Sequence, residues 1–265
     1  MIRRTYIAAE GAERWLLVPQ IDHAHLAAQI ARAWGAEPFD APWPADELLA
    51  AVEHHDDGWA EWDAHPGVDP NGGRPRDFTE MRIADSVAIW QRSIDVAAAI
   101  GPLAAWVVSG HFTALLRRTN AWQPTSAAAS AEADTFLGRQ DAQRAHWLAE
   151  WQTADPLRHT VAAAERALEF LQFFDALSLW LCCGRQRDYR SAAPGGPALE
   201  GRQATDPQRS LDLTVRIQPW PLKVSHLRLE TRARSVAAQG YAHAEALAQS
   251  ASELLGLCWQ LQANK

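Results

Sequence analysis

One residue constrains this chain more than any other. Between Glu169 and Arg185, in the run FLQFFDALSLWLCCG, Asp175 is the only charged side chain. Helical spacing places it on one stripe with Val161, Ala164, Leu168, Leu171, Ser178 and Cys182. Any fold that buries this segment buries the carboxylate too. An isolated buried carboxylate is costly enough that it neutralises or finds a partner. A helix cap, an arginine or a metal ion would each serve.

Other polar residues sit on apolar helical faces. Leu48, Leu49, Val52, His55, Asp56 and Trp59 share one face, with His54 off it. His23 lies with Ala27, Ile30 and Trp34, and His111 with Leu103, Val107 and Ala114. Taken singly, His23 and His111 read as hydrogen-bonded core histidines. Taken together with Asp175, imidazoles and carboxylates on separate helices of one core offer mixed N/O ligation to a first-row metal.

Around these stripes the periodicity predicts helices near 21–34, 46–58, 83–99, 102–118, 129–151 and 157–183, separated by Pro and Gly. Residues 4–19 read as a β-hairpin turning at Gly11. The stretch 184–210 has few large apolar residues and several Pro, Gly and Arg, and reads as a surface loop or linker. LDLTVRIQPW and LKVSHLRLETRAR alternate with period two and read as strands, and a last helix is expected over about 241–262. The expected organisation is a helical core with its hairpin over 1–183, a linker over 184–210, and strands plus a C-terminal helix over 211–265. The N-terminal hairpin and C-terminal strands would form a small antiparallel sheet.

The net charge of −7 and the scattered basic residues argue against a nucleic-acid partner and for a small-molecule substrate or a protein. Three cysteines without a C-x-x-C, and the absence of an apolar leader or membrane-length run, fit a cytoplasmic protein with no membrane partner. The 13 tryptophans read as core or wall residues. No P-loop, dinucleotide fingerprint, G-x-S-x-G or H-E-x-x-H is present. Nothing in the sequence sets the oligomeric state.

The order His23, His55-Asp56, Asp175, with HHDDGW at 54–59, resembles the HD superfamily of metal-dependent phosphohydrolases. More narrowly, QIDHAHLAAQIARAWG, AVEHHDDGWAEWD, AAWVVSGHF, FFDALSLWLCC and QPWPLKVSHLRL resemble the domain-of-unknown-function family 3891 over nearly the whole chain. The resemblance implies a mainly α, HD-type helical bundle. It implies that His23, His55, Asp56 and Asp175 hold one divalent ion, with Fe, Mn, Ni, Co and Zn not distinguished. It implies His111 nearby as a second-metal ligand, proton donor or substrate contact, and Asp57 as a general base or a helix-end ion pair.

The resemblance also has departures. Many HD phosphohydrolases carry a lysine after His-Asp-x-Gly, where this chain has Trp59. Arg74 and Arg76 would replace that phosphate contact, or else are solvated loop residues. Trp59 and Trp62 would wall a substrate cavity, or else pack in the core. Three functions follow as expectations. The first is a hydrolase acting on a small substrate, such as a phosphoester or nucleotide, through metal-activated water. The second is an HD-type diiron oxygenase, which needs further ligands from among His65, His111, His146 and His159. The third is a non-catalytic, metal-stabilised binding module.

Overall fold

The computed structural model describes residues 1–118 and 126–264. Two strands, β1 (Ile2–Ile7) and β2 (Glu13–Val18), open the chain. A helical stretch follows: α1 (Gln20–Ala33), α2 (Ala45–His54), α3 (Ala60–Ala64), α4 (Ile83–Ile100), α5 (Pro102–Arg118), α6 (Ala127–Ala154) and α7 (Val161–Cys183). The chain then returns to strands: β3 (Asp188–Ala192), β4 (Ala198–Gln203), β5 (Asp212–Gln218), β6 (His226–Ala237) and β7 (Ser252–Ala263), with a short α8 (Ala244–Ala248) before β7. Among the described residues, no helix is long and apolar enough to cross a membrane.

The expected mainly α HD-type bundle with a small antiparallel sheet is corrected here. Helix accounts for 49% of the chain and strand for 23%, the latter in a curled seven-stranded mixed sheet. Its order is β1-β2-β6-β7-β5-β4-β3. All neighbours are antiparallel except β5 and β7, which run parallel. Two misread segments supply the extra strands.

The C-terminal segment was expected as a helix because AEALAQSASELL is rich in helix formers. Only Ala244–Ala248 is helical. Beyond it Leu255, Leu257, Trp259 and Leu261 alternate inward, and β7 forms the centre of the sheet between β6 and β5. Tertiary pairing overrides local propensity there. The expected linker over 184–210 contains the β3–β4 hairpin. Its inward positions on β4 are Leu199, Gly201 and Gln203, so only one large apolar residue marks the strand. Gly201 leaves room for the Trp180 ring, which a Cβ there would meet at 3.0 Å. Gln203 Nε2 donates to the Trp180 carbonyl at 3.2 Å. The hairpin thus clasps the end of α7.

Helices and sheet share one core, in which Trp34, Phe174 and Leu181 from helices join Leu16, Leu213 and Trp259 from strands. Two helices near the future site lack a local N-cap, and carboxylates from elsewhere replace it. Asp63 Oδ2 accepts from the Gln20 amide of α1 at 2.7 Å. Glu47 Oε1 accepts from the Leu103 and Ala104 amides of α5 at 2.8 and 3.3 Å. Both satisfy otherwise orphaned amides and place negative charge at a helix N-terminus. α7 is capped locally, by the Thr160 hydroxyl at its start and by Gly184 in the left-handed conformation (φ +57°) at its end.

Glu47→Ala should lower unfolding stability by about 1–2 kcal/mol, the size of a lost cap. The neighbouring exposed Asp46→Ala should change it by less than about 0.5 kcal/mol. Urea titration of both variants checks the contrast.

Candidate metal centre

The end of α2 builds the first part of the site. The helix stops at His54, and the last turn leaves carbonyls without amide partners. His55 turns its ring back and Nδ1 donates to the Val52 carbonyl at 2.8 Å. The His-Asp pair therefore lies at the break between α2 and a 3₁₀ turn over Asp57–Trp59, rather than inside one continuous helix as expected. The turn is pinned against α4. The Gly58 amide donates to Ser93 Oγ at 3.0 Å. A Cβ on Gly58 would stand 2.2 Å from the Ile89 carbonyl oxygen. Only glycine permits that approach, and it sets where Asp56 points.

α1 and α7 supply the rest. Ser178, one turn after Asp175, donates its hydroxyl to the Asp175 carbonyl at 3.0 Å. The Ser178 oxygen then accepts from His23 Nδ1 at 2.8 Å. Both histidines thus spend the Nδ1 proton on an acceptor outside the cluster, which leaves Nε2 as the lone-pair nitrogen of each neutral ring.

Both Nε2 atoms face carboxylates. His23 Nε2 lies 2.8 Å from Asp56 Oδ2 and 3.7 Å from Asp175 Oδ1. His55 Nε2 lies 3.4 Å from Asp175 Oδ1 and 3.6 Å from Asp56 Oδ2. All four residues are buried, from 0% exposure for His23 and His55 to 8% for Asp175. Four lone-pair atoms converging in such a space demand positive charge between them. Protons supply it in part. Burial opposes charge on His55, but Asp56 and Asp175 outweigh it and raise the ring to about 9. Burial would raise both carboxyls. Instead His55 holds Asp56 below its ordinary value, and His111 with His55 and His23 brings Asp175 to about 2.

A divalent ion is the other solution, and the donor set fits one. First-row ions with ligands at about 2.1 Å place adjacent ligand atoms roughly 3.0–3.4 Å apart. The four N···O separations, 2.8 to 3.7 Å, bracket that range. His111 completes the group: ligand atoms of His55, His111 and Asp175 lie within 4.8 Å of one another, as do those of His23, His55 and Asp56. Its Nδ1 is buried without a partner among the described residues. Burial pushes its pKa below the ordinary imidazole value.

The structure therefore brings together His23, His55, Asp56, Asp175 and His111. It gives the other candidates different surroundings. Asp57 Oδ2 pairs with His54 Nδ1 at 2.8 Å. Trp59 is buried in the main core, and Trp62 packs at its edge under Arg76, whose guanidinium lies 6.0 Å from the ring centroid. Arg74 is exposed beside Asp69 and Glu80, and Arg76 pairs with Asp85 at 3.8 Å. His65 is exposed, His146 pairs with Glu150, and His159 stacks on Trp151 at 4.0 Å. Of the histidines that a dinuclear centre would recruit, only His111 stands at the cluster. The sequence reading gave Ser178 and Gly58 no supporting role. Ser178 was visible on the Asp175 stripe, whereas the need for glycine at 58 depends on α4 and has no local signal.

A family model described as a protein of unknown function, DUF3891, matches residues 6–238. No curated protein and no solved structure matches the chain.

Gly58→Ala should cost at least about 2 kcal/mol, because a backbone carbonyl must move to admit the methyl group. Gly138→Ala, in open space in the middle of α6, should stabilise by about 0.5–1 kcal/mol. Chemical denaturation of the pair measures both.

Proposed function

The chain belongs to the DUF3891 family, and on that footing we propose that it is a metal-dependent hydrolase of a small substrate, with a phosphoester or nucleotide as the favoured class. One observation carries this reading. Two imidazole Nε2 atoms and two carboxylate oxygens, on three separate segments, converge, and each imidazole Nδ1 is held by an acceptor outside the cluster. The order of these residues resembles that of the HD superfamily, although the sheet is far larger than that resemblance implied.

In this reading His23 and His55 Nε2, Asp56 Oδ2 and Asp175 Oδ1 hold one divalent ion. Such an ion supplies the Lewis acidity that polarises an ester oxygen and acidifies water. The Val52 carbonyl and Ser178 hydroxyl fix the tautomers and ring angles of the two histidines, the usual task of outer contacts at metal sites. His111 is the proton-transfer residue. Its Nδ1 is unspent, burial pushes its pKa down, and it stands beside His55 and Asp175. The Asp175 side chain is 12% exposed, against 6% for Asp56 and 0% for His23 and His55, so in this reading substrate approaches past Asp175.

A panel of aryl phosphomonoesters and phosphodiesters, assayed on protein supplied with Mn²⁺, Fe²⁺, Co²⁺, Ni²⁺ or Zn²⁺, tests the activity. The parent should hydrolyse at least one ester. Asp175→Asn should abolish turnover with loss of bound metal. His111→Gln should retain metal while kcat falls by roughly 10²–10⁴. Equal turnover by parent and Asp175→Asn would rule the proposal out. An oxygen-dependent product with two irons per chain would replace it with oxygenase chemistry.

A further inference from the structure

Two long helices, α6 and α7, both lie against α5 and leave a groove between them. Its volume is about 470 Å³. Trp106, Gly110 and Thr113 of α5 form the floor, Arg144 comes from α6, and Leu168 and Gln172 come from α7. Gly110 precedes His111, and Gln172 stands one helical turn before Asp175. The groove therefore flanks the candidate metal centre without containing its ligands.

An arginine in the middle of a surface helix usually reaches into solvent, and Arg144 does not. Its guanidinium lies over the Trp106 ring, 4.1 Å from the centroid. Nε donates to the Trp106 carbonyl at 3.2 Å. Gly110 lets it settle there, since a Cβ at that position would stand 2.9 Å from Nη2. Ring and carbonyl together fix the plane of the guanidinium. Nη1 and Nη2 make no hydrogen bond and no ion pair among the described residues, and neither is among the unpaired atoms buried away from solvent. This half-buried arginine thus keeps an open edge of two parallel donors. Gln172 is also half-buried, and its amide makes no hydrogen bond among the described residues.

The other charges around the groove leave that edge free. Arg117 pairs with Asp141 at 2.6 Å, and Glu169 pairs with Arg166 at 3.2 Å. Arg118 and Glu165 are exposed and form no ion pair among the described residues. Burial lowers the Arg144 pKa, Asp141 opposes this, Arg117 adds to it, and Glu165 opposes it from beyond ion-pair distance.

We infer that this groove binds a small molecule carrying a phosphate or carboxylate group, with the Nη edge of Arg144 as its fixed anchor and the Gln172 amide as a second donor. Planar paired donors match the oxygens of either group. The volume admits a phosphate with several attached atoms. None of the groove residues is a candidate metal ligand, so the anion binds with or without a metal ion.

Calorimetric titration of the full-length protein with inorganic phosphate, and separately with acetate, at constant ionic strength, tests this. Saturable binding of one phosphate or one acetate per chain is expected, and the tighter of the two identifies the ligand class. Arg144→Met keeps an unbranched stem over Trp106 and should weaken binding by about tenfold or more. Arg144→Lys keeps the charge without the paired donors and should weaken it by about threefold or more. Glu165→Gln removes a like charge from the wall and should tighten it by about twofold. Asp175→Asn should bind as the parent does. Absence of saturable binding to either anion overturns the inference, as does undiminished binding by Arg144→Met. Loss of binding in Asp175→Asn would move the anion to the metal centre and overturn it equally. If Arg144→Met does not fold, unchanged affinity in Arg144→Lys and Glu165→Gln decides against the site.

Discussion

Two imidazole Nε2 atoms and two carboxylates face one another inside the protein, and much of the surrounding architecture serves to hold them so. At 2.8–3.7 Å in a dry core these atoms need positive charge among them, from a proton such as the one that His55 holds up to about 9 or from a metal ion. The fold could have relieved this by turning one ring over. It prevents that by giving each Nδ1 a fixed acceptor, the Val52 carbonyl for His55 and the Ser178 hydroxyl for His23. The arrangement is preorganised for a cation and costly without one.

The supporting contacts explain features of the fold that otherwise look arbitrary. α2 must end at His54 so that His55 can satisfy its own helix while offering Nε2 inward. The following turn must carry glycine at 58 so that it can press on α4. Glu47 from α2 seats the start of α5, the helix that brings His111 to the cluster. The end of α7 is clasped by the β3–β4 hairpin through Trp180.

Much of the candidate site was legible in the sequence because buried charge is conspicuous against an apolar stripe. Asp175 stands alone over fifteen residues, and helical spacing put His23, His55-Asp56 and His111 on faces that turn inward. The sheet was less legible. β5 and β6 announced themselves by alternation, as did the N-terminal hairpin. β4 presents only Leu199 as a large inward residue, because Trp180 from α7 fills the space over Gly201. β7 hides its period-two pattern behind a run of helix-forming residues, and only pairing with β6 and β5 on both sides makes it a strand.

Metal content per chain tests the central claim most directly. Elemental analysis of protein purified without chelator, beside His55→Ala and Asp175→Asn, should find about one divalent ion in the parent and none in either variant. A folded parent that holds no ion after incubation with each candidate metal, or variants that hold as much as the parent, would contradict the account.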